Sequence, residues 1–514
     1  MLEKLLTEMK QQPAFDFSSC IARGIEKEHL RVTSAGSMAQ TFHPKALGSK
    51  LTNPVITTDY SEALLEFVTP PMQGKRELLD YLTSLQQFVY ANAKDELLWP
   101  SSMPCDLPDP AMIPLADYGK SNGAIMKKVY RQGLTNRYGG TMQMIAGIHY
   151  NFSVNHQFFH VLKDLEQSKE TLPNYINQKY MGLVRNFLRY AWVLPYLLGA
   201  SPVCANTSVI ADVDFLKPLA KDSMYGPYAT SLRLSELGYH NKGQDLLHIN
   251  FNTVQDYAKT LLHATQQPYP EFQAMGLKDN QGYHQLSEAL LQIENEYYNV
   301  VRPKQPIKPC ERPATSLLQR GVNYVEIRIL DLNPLLDLNI DESTMDFMDM
   351  FLLFCLMQDS PPMTDESLKE CQDNIKRIAE EGRRPDVKIS VDNKEQVFRE
   401  AAMELFKQIE NVALTMDDAT GRSKRAFNEQ LDKIKDPELT PSSQLLTTLL
   451  TEKLGCQEFF LMRAKQIKSK LMQRTVDSTL DLPLIAKQSL EDFHRMDAEK
   501  QGSFEDYLAR YFAS

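Results

Sequence analysis

Runs of strand-like polarity stand out first along the chain. In "RGIEKEHLRV" the apolar positions Ile25, Leu30 and Val32 read as a strand that also carries Glu26 and Glu28. Residues two apart on a strand share a face and lie about 7 Å from each other, so these carboxylates can reach one cation or neighbouring ones. A strand-like "LLEFVT" places Glu66 among Leu64, Leu65, Phe67 and Val68, at the end of "ITTDYSEALLEFVTP", which also supplies Asp59 and Glu62. "AGIHYNFSV" alternates Ile148, Tyr150 and Phe152 with His149, Asn151 and Ser153, and "VNYVEIRILDLNP" sets Tyr324, Glu326 and Arg328 opposite Val325, Ile327 and Ile329. Both read as two-faced strands with one polar side.

Helical spacing of three and four dominates elsewhere. "MLEKLLTEMKQQPAF" spaces Leu2, Leu5, Leu6 and Met9 as an amphipathic helix, and "YINQKYMGLVRNFLRYAWVLPYLLG" is helical in pattern. From about Asp341 onward, runs such as "KEQVFREAAMELFKQIENVALTMDD" predict a helical tail without strand-type clusters. The chain divides into a mixed stretch to about Pro114, a middle stretch to about Pro334 and this tail. No Gly/Ser-rich or Pro-rich linker separates them. We therefore expect residues 1–514 to form a single catalytic unit, with a sheet-containing part over 1–340 and a mainly helical part over 341–514.

Taken singly, each polar strand has an ordinary explanation. Glu26 and Glu28 fit an exposed antiparallel face, Glu66 a rim salt bridge, and a lone His149 a satisfied structural residue. Four segments that each set carboxylate, imidazole or guanidinium among strongly apolar neighbours are better explained by a sheet whose polar side lines a cavity. Glutamates with one histidine and no cysteine form hard, oxygen-rich ligation, suited to magnesium or manganese rather than zinc. Several carboxylates imply more than one ion. Such ions commonly bridge phosphate oxygens, with arginines completing the clamp, which points to ATP chemistry. No P-loop is present: "YGKS" has Pro114 where the first glycine should stand.

Composition narrows the partners. Of 514 residues, 43% are apolar and 24% charged, as in folded soluble proteins. Fifty-six basic against sixty-six acidic residues give a net charge of -10 with no basic tract, which excludes nucleic acid as an expected partner. The apolar run "MFLLFCLM" from Met350 to Met357 is far below the ~18 residues of a spanning helix, and the N-terminus lacks the apolar core of a secretory signal. No membrane segment and a cytoplasmic location are expected. Seven scattered cysteines without a C-x-x-C pair read as reduced core residues.

The blocks "RGIEKEHLRV", "ITTDYSEALLEFVTP", "WPSSMPC", "YRQGLTNRYGGTMQMIAGIHYNFSV", "LPYLLGASP", "YATSLRLSELGY", "QIENEYYNVVRPK" and "VNYVEIRILDLNP" together resemble the bacterial glutamate-cysteine ligases, also called gamma-glutamylcysteine synthetases. The likeness is dense and ordered through Pro334. "SPPMTDESLKECQDNIKRIAEEGRRPD" continues it, and the rest of the tail matches in character only. The resemblance implies an α+β fold of the glutamine synthetase type: a curved, mainly antiparallel sheet forming an active-site funnel, surrounded by helices. It implies ATP-dependent ligation of the gamma-carboxylate of L-glutamate to the amine of L-cysteine through gamma-glutamyl phosphate, the first step of glutathione biosynthesis. It also implies Mg2+, with Mn2+ as an alternative, more than one ion per site, a monomer, and glutathione as a feedback inhibitor.

Carried over by position, the resemblance implies Glu26, Glu28, Asp59, Glu66, His149 and Glu326 as metal ligands. Arg233 would hold substrate glutamate or its phosphorylated form, and Arg328 would meet phosphate and the developing oxyanion, although an ion pair of Arg328 with Glu326 is the structural alternative. Tyr60, Tyr130, Leu134, Tyr239 and Tyr298 would build the cysteine pocket, with Ile145 flanking the substrates. Arg131 and Arg302 are further candidate anion-binding groups. No local motif marks an adenine site. Two other readings compete: a ligase of the same superfamily with a different amine acceptor, and a noncatalytic protein that binds metal and nucleotide.

Overall fold

The structure, a computed structural model, describes residues 2–12, 15–93, 95–209, 213–238, 243, 246–476, 480–499 and 501–513. Its centre is a seven-stranded sheet built from β1 (Ile21–Thr33), β2 (Ile56–Thr58), β3 (Leu64–Val68), β4 (Glu96–Leu98), β5 (Ile148–Val154), β6 (Val301–Lys304) and β7 (Tyr324–Leu330). The order is β6-β7-β5-β1-β3-β2, every pairing is antiparallel, and β4 joins the far end of β1 at Arg31 to Thr33. With helices packed around this sheet, the molecule has the expected α+β class.

Directly paired residues in an antiparallel ladder share a face. The register sets Glu26 opposite His149, Glu28 opposite Glu66, Asn151 opposite Glu326, and Glu326 opposite Arg302. One face of five strands thus carries a continuous polar band. The register of β5 and β7 shifts between Ile327 and Leu330, so the ladder is interrupted at Arg328. Bulges of this kind re-aim a side chain beside a functional site.

The reverse face carries Arg23, Ile25, Lys27, His29 and Arg31 from β1, all nearly inaccessible to solvent. Helices α1 (Lys75–Asn92) and α3 (Glu342–Met357) cover it, while α2 (Asn122–Tyr138) lies on the cavity side. Gln86 of α1 meets His29 Nε2 at 3.0 Å, and Asp349 of α3 receives Arg23 and the Tyr150 hydroxyl. The Lys27 ammonium donates to the Leu338 carbonyl at 2.9 Å. The apolar run at 350–357 is the C-terminal half of α3, buried on all sides in the core, which is where an all-round hydrophobic helix belongs in a globular protein. Among the described residues no helix is long and apolar enough to cross a membrane.

The tail departs from expectation in one place. Lys388–Val391 and Lys394–Val397 form a hairpin, and the helix expected to begin at Lys394 begins at Phe398. Asp392 and Asn393 turn the chain with φ of 52° and 58°, the left-handed pair that a two-residue hairpin loop requires. A last helix, α4 (Phe504–Ala513), returns to pack on α2 through Leu508 and Tyr511 against Met126 and Val129.

Candidate active site

The polar band opens into a cavity of about 610 Å³ lined by Glu26, Glu28, Asp59, Glu66, His149 and Glu326, all six of the expected metal ligands. His149 is the hub. Its Nδ1 lies 3.2 Å from Glu26 Oε2 and 3.6 Å from Glu326 Oε1, and its Nε2 lies 4.0 Å from Glu28 Oε1. Ligand atoms of Glu26, Glu66 and His149 fall within 4.8 Å of one another, a spacing that one cation can bridge. Asp59 enters from the turn between β2 and β3, held by its own N–H to the Leu64 carbonyl.

The carboxylates are held by specific donors. Asn151 Nδ2 donates to Glu26 Oε1 at 2.8 Å, and the Gly147 N–H donates to Glu28 Oε2 at 2.7 Å. Arg328 Nη1 lies 3.2 Å from Glu326 Oε1 and Lys304 Nζ 3.4 Å from Glu326 Oε2. Burial raises a carboxyl pKa, but for Glu326 the Lys304 and Arg328 cations outweigh it and hold the group well below the ordinary range. For Glu26 burial is likewise outweighed, chiefly by the hydrogen bond from His149. Glu66 is the opposite case: burial, then the charges of Glu26, Asp59 and Glu28, push it well above the usual value, while Glu28 is raised by burial, with Asp59 adding to it against the opposing charge of His149. Glu66 and Glu28, raised by burial and by neighbouring carboxylates, together with Glu26 and Asp59 are an oxygen donor set that fits divalent cations.

The arginines divide the neighbourhood. Arg233, on a short 3-10 turn at Leu232–Leu234, is buried; its Nη2 donates to the Arg328 carbonyl at 2.7 Å and its Nη1 lies 3.9 Å from Asp331. Its Nε and Nη1 make no hydrogen bond among the described residues. Arg233 and Arg328 line a second cavity that also borders Tyr298. A Cβ at Gly147 would stand 2.3 Å from Arg233 Nη2, so only glycine lets the guanidinium pass there. Arg302 and Arg131 line the main cavity; Arg302 Nη2 donates to the Asn295 and Tyr297 carbonyls.

Of the residues expected to form the acceptor pocket, Tyr130, Leu134 and Tyr298 line the main cavity. Tyr60 is buried with its hydroxyl on Thr135 at 2.7 Å, and Ile145 is buried in a separate apolar cluster against which Tyr298 packs. Tyr239 lies outside the described residues. Glu62, grouped with Asp59 and Glu66 by sequence, turns away: it pairs with Lys50 and accepts the N–H groups of His43 and Asp117.

Sequence reading missed several cavity residues. Gln143 accepts the Tyr298 hydroxyl at 3.2 Å and buries an amide nitrogen that has no hydrogen-bond partner among the described residues. Lys127 and Lys304 add positive charge, and Tyr507 and Tyr511 arrive from α4. Helical spacing from Tyr130 back to Lys127 was a readable signal; nothing local in the sequence announces that residues 507 and 511 return to this cavity.

The chain is similar to known proteins in sequence and in fold. The family model described as glutamate-cysteine ligase matches residues 6–378. The glutamate-cysteine ligase of Alcanivorax borkumensis is 43% identical over 502 residues, covering 96% of this chain and 95% of its own, and that of Pseudomonas entomophila is 40% identical, covering 96% and 93%. The crystal structure of glutamate-cysteine ligase from Francisella tularensis in complex with AMP superposes with a TM-score of 0.91 at 37% identity, covering 96% of this chain and 98% of that one. A bifunctional glutathione synthetase from Pasteurella multocida shares the fold, with a TM-score of 0.73 at 24% identity over 92% of this chain and 57% of that one. This chain belongs to the glutamate-cysteine ligase family.

Proposed function

We propose that the protein joins the gamma-carboxylate of L-glutamate to the amine of L-cysteine, consuming ATP and releasing ADP and phosphate. The observation that carries this reading is the polar band, which gathers Glu26, Glu28, Glu66, His149 and Glu326 beside Arg328 in one cavity. A carboxylate is a poor electrophile, so an oxygen of the gamma-carboxylate first attacks the gamma-phosphorus of ATP; the bond to the bridging oxygen breaks and ADP departs. The cysteine amine then attacks the acyl carbon, loses a proton, and phosphate leaves as the C–N bond forms.

Each group of residues has a part in this. Glu26, Glu28, Asp59, Glu66, His149 and Glu326 would hold magnesium, or manganese in its place, at more than one position, and ions held there would supply positive charge that neutralises the phosphate oxygens facing the attacking carboxylate. Arg233 binds glutamate with the N–H groups it leaves unused, and Arg328 meets the transferred phosphate and the oxyanion of the second step. Arg302 adds positive charge beside Glu326. Tyr130, Leu134, Tyr298 and Tyr239 form the cysteine pocket, with Tyr60 and Ile145 behind it. Burial of the sheet face limits the water that would hydrolyse the acyl phosphate. Tyr507 and Tyr511 on the cavity wall support a reading in which residues 1–340 and 341–514 work as one unit. We further infer a monomeric cytoplasmic enzyme inhibited by glutathione, which contains the product.

The test is ATP turnover by the purified protein with magnesium, omitting L-glutamate and L-cysteine in turn and identifying the product by mass. ADP release that needs both amino acids, with gamma-glutamylcysteine formed, is the expected result. Turnover with glutamate that cysteine does not change would reject the acceptor.

A further inference from the structure

Lys127, Tyr130, Arg131 and Leu134 recur at i, i+3, i+4 and i+7 on α2, the spacing of one helix face, and all four line the main cavity. The uncharged members of the acceptor pocket supply no cation for an amino acid's α-carboxylate. Arg131 is already committed: its Nη1 donates to the Lys127 carbonyl at 3.0 Å, its Nη2 lies 3.3 Å from Asp59 Oδ1, and its Nε donates to the Asp59 carbonyl. Arg302 is committed to two carbonyls and Lys304 to Glu326. Lys127 and Lys308, which also lines the cavity, are different: neither ammonium makes a hydrogen bond or ion pair among the described residues. Of the two only Lys127, whose ammonium stands 5.1 Å from the centre of the Tyr118 ring, shares a helix face with Tyr130 and Leu134.

A carboxylate that leaves water for a partly enclosed pocket needs a charged donor to replace its hydration. We propose that Lys127 binds the α-carboxylate of the acceptor amino acid and so directs the acceptor's amine toward the activated glutamate. This rests on the acceptor pocket of the proposed function. It makes Lys127 a specificity-determining residue, selecting an α-amino acid over a simple amine of the same size.

The experiment compares the unmodified protein with Lys127→Met and Lys127→Arg, varying cysteine, glutamate and ATP separately, and repeats each series with cysteamine, which is cysteine without its carboxylate. Loss of a charge-assisted hydrogen bond should raise the KM for cysteine roughly 10- to 100-fold in Lys127→Met, with the KM values for glutamate and ATP nearly unchanged and Lys127→Arg recovering much of the loss. With cysteamine the unmodified protein and Lys127→Met should be alike. An equal penalty on cysteine and cysteamine, or a rise confined to the KM for ATP, would overturn the assignment. Cysteine-independent turnover in the unmodified protein would instead reject the acceptor pocket itself.

Discussion

Glu26 and His149 face each other on neighbouring antiparallel strands, register partners whose Oε2 and Nδ1 lie 3.2 Å apart. The pair joins β1 to β5 at the centre of the polar band. Glu26→Gln keeps the shape and the Asn151 contact but removes the charge. Turnover should fall roughly a hundredfold or more, the magnesium concentration for half activity should rise, and the KM for ATP should change little. Initial rates measured across a magnesium titration decide this; an unaltered magnesium requirement would remove Glu26 from the metal set.

Tyr298 donates a hydrogen bond from its hydroxyl to Gln143 Oε1 on the wall of the acceptor pocket. In Tyr298→Phe the KM for cysteine should rise roughly two- to tenfold, as for loss of a neutral hydrogen bond, while that for glutamate stays put. Equal shifts for both substrates would place the residue elsewhere in the reaction.

Gly147→Ala adds a methyl group 2.3 Å from Arg233 Nη2 and 2.7 Å from its Cζ. The guanidinium must move, and misplacement of a substrate-holding group by about 1 Å costs on the order of a hundredfold. The KM for glutamate should rise by at least about tenfold with little change in that for ATP. Steady-state kinetics in each substrate, with a melting curve to establish folding, would reveal a merely structural effect as equal losses for all three.

His43 titrates in the acid limb. Burial, helped by the charges of Lys50 and Arg31, pushes its imidazole down to about 3 from the ordinary 6.5. The unfolded chain therefore takes up a proton first as pH falls, so the folded state loses stability from about pH 6.5 downward, at no more than about 1.4 kcal/mol per pH unit from this one group. His43→Gln, neutral throughout, should show a shallower fall in melting temperature between pH 6.5 and 4. Parallel profiles for both proteins would dismiss His43 as a source of acid sensitivity.

Much of the sheet was legible because its signal is local. His149 with Asn151, and Glu326 with Arg328, alternate with apolar partners, and this alternation is the geometry of a strand. The DN turn at Asp392 and Asn393 was also readable, yet the strong helical pattern after it masked the hairpin. Glu62 shows the limit of proximity: four residues from Glu66, it is turned toward Lys50 and the backbone of His43 by the β2–β3 turn. Gln143 sits in a single 3-10 turn at Met142–Met144, and the hydroxyl that donates to it belongs to Tyr298, 155 residues away. Tyr507 and Tyr511 reach the cavity because α4 packs on α2; the spacing of Phe504, Tyr507, Leu508 and Tyr511 marks an apolar helix face, but nothing in it says which helix that face meets.

The two faces of β1 have a consequence for how the chain folds. Acidic Glu26 and Glu28 look one way and Arg23, Lys27, His29 and Arg31 the other, where Arg23 pairs with Asp349 of α3. A slip of one residue in pairing would exchange these faces. It would bring Glu26 and Glu28 to the side where Asp349 sits and turn Arg23 and Lys27 away from Asp349 and from the Leu338 carbonyl that receive them, so a mispaired sheet leaves buried charges without partners. The strand that furnishes the cavity's acids is thereby proofread against misalignment by the bases on its back.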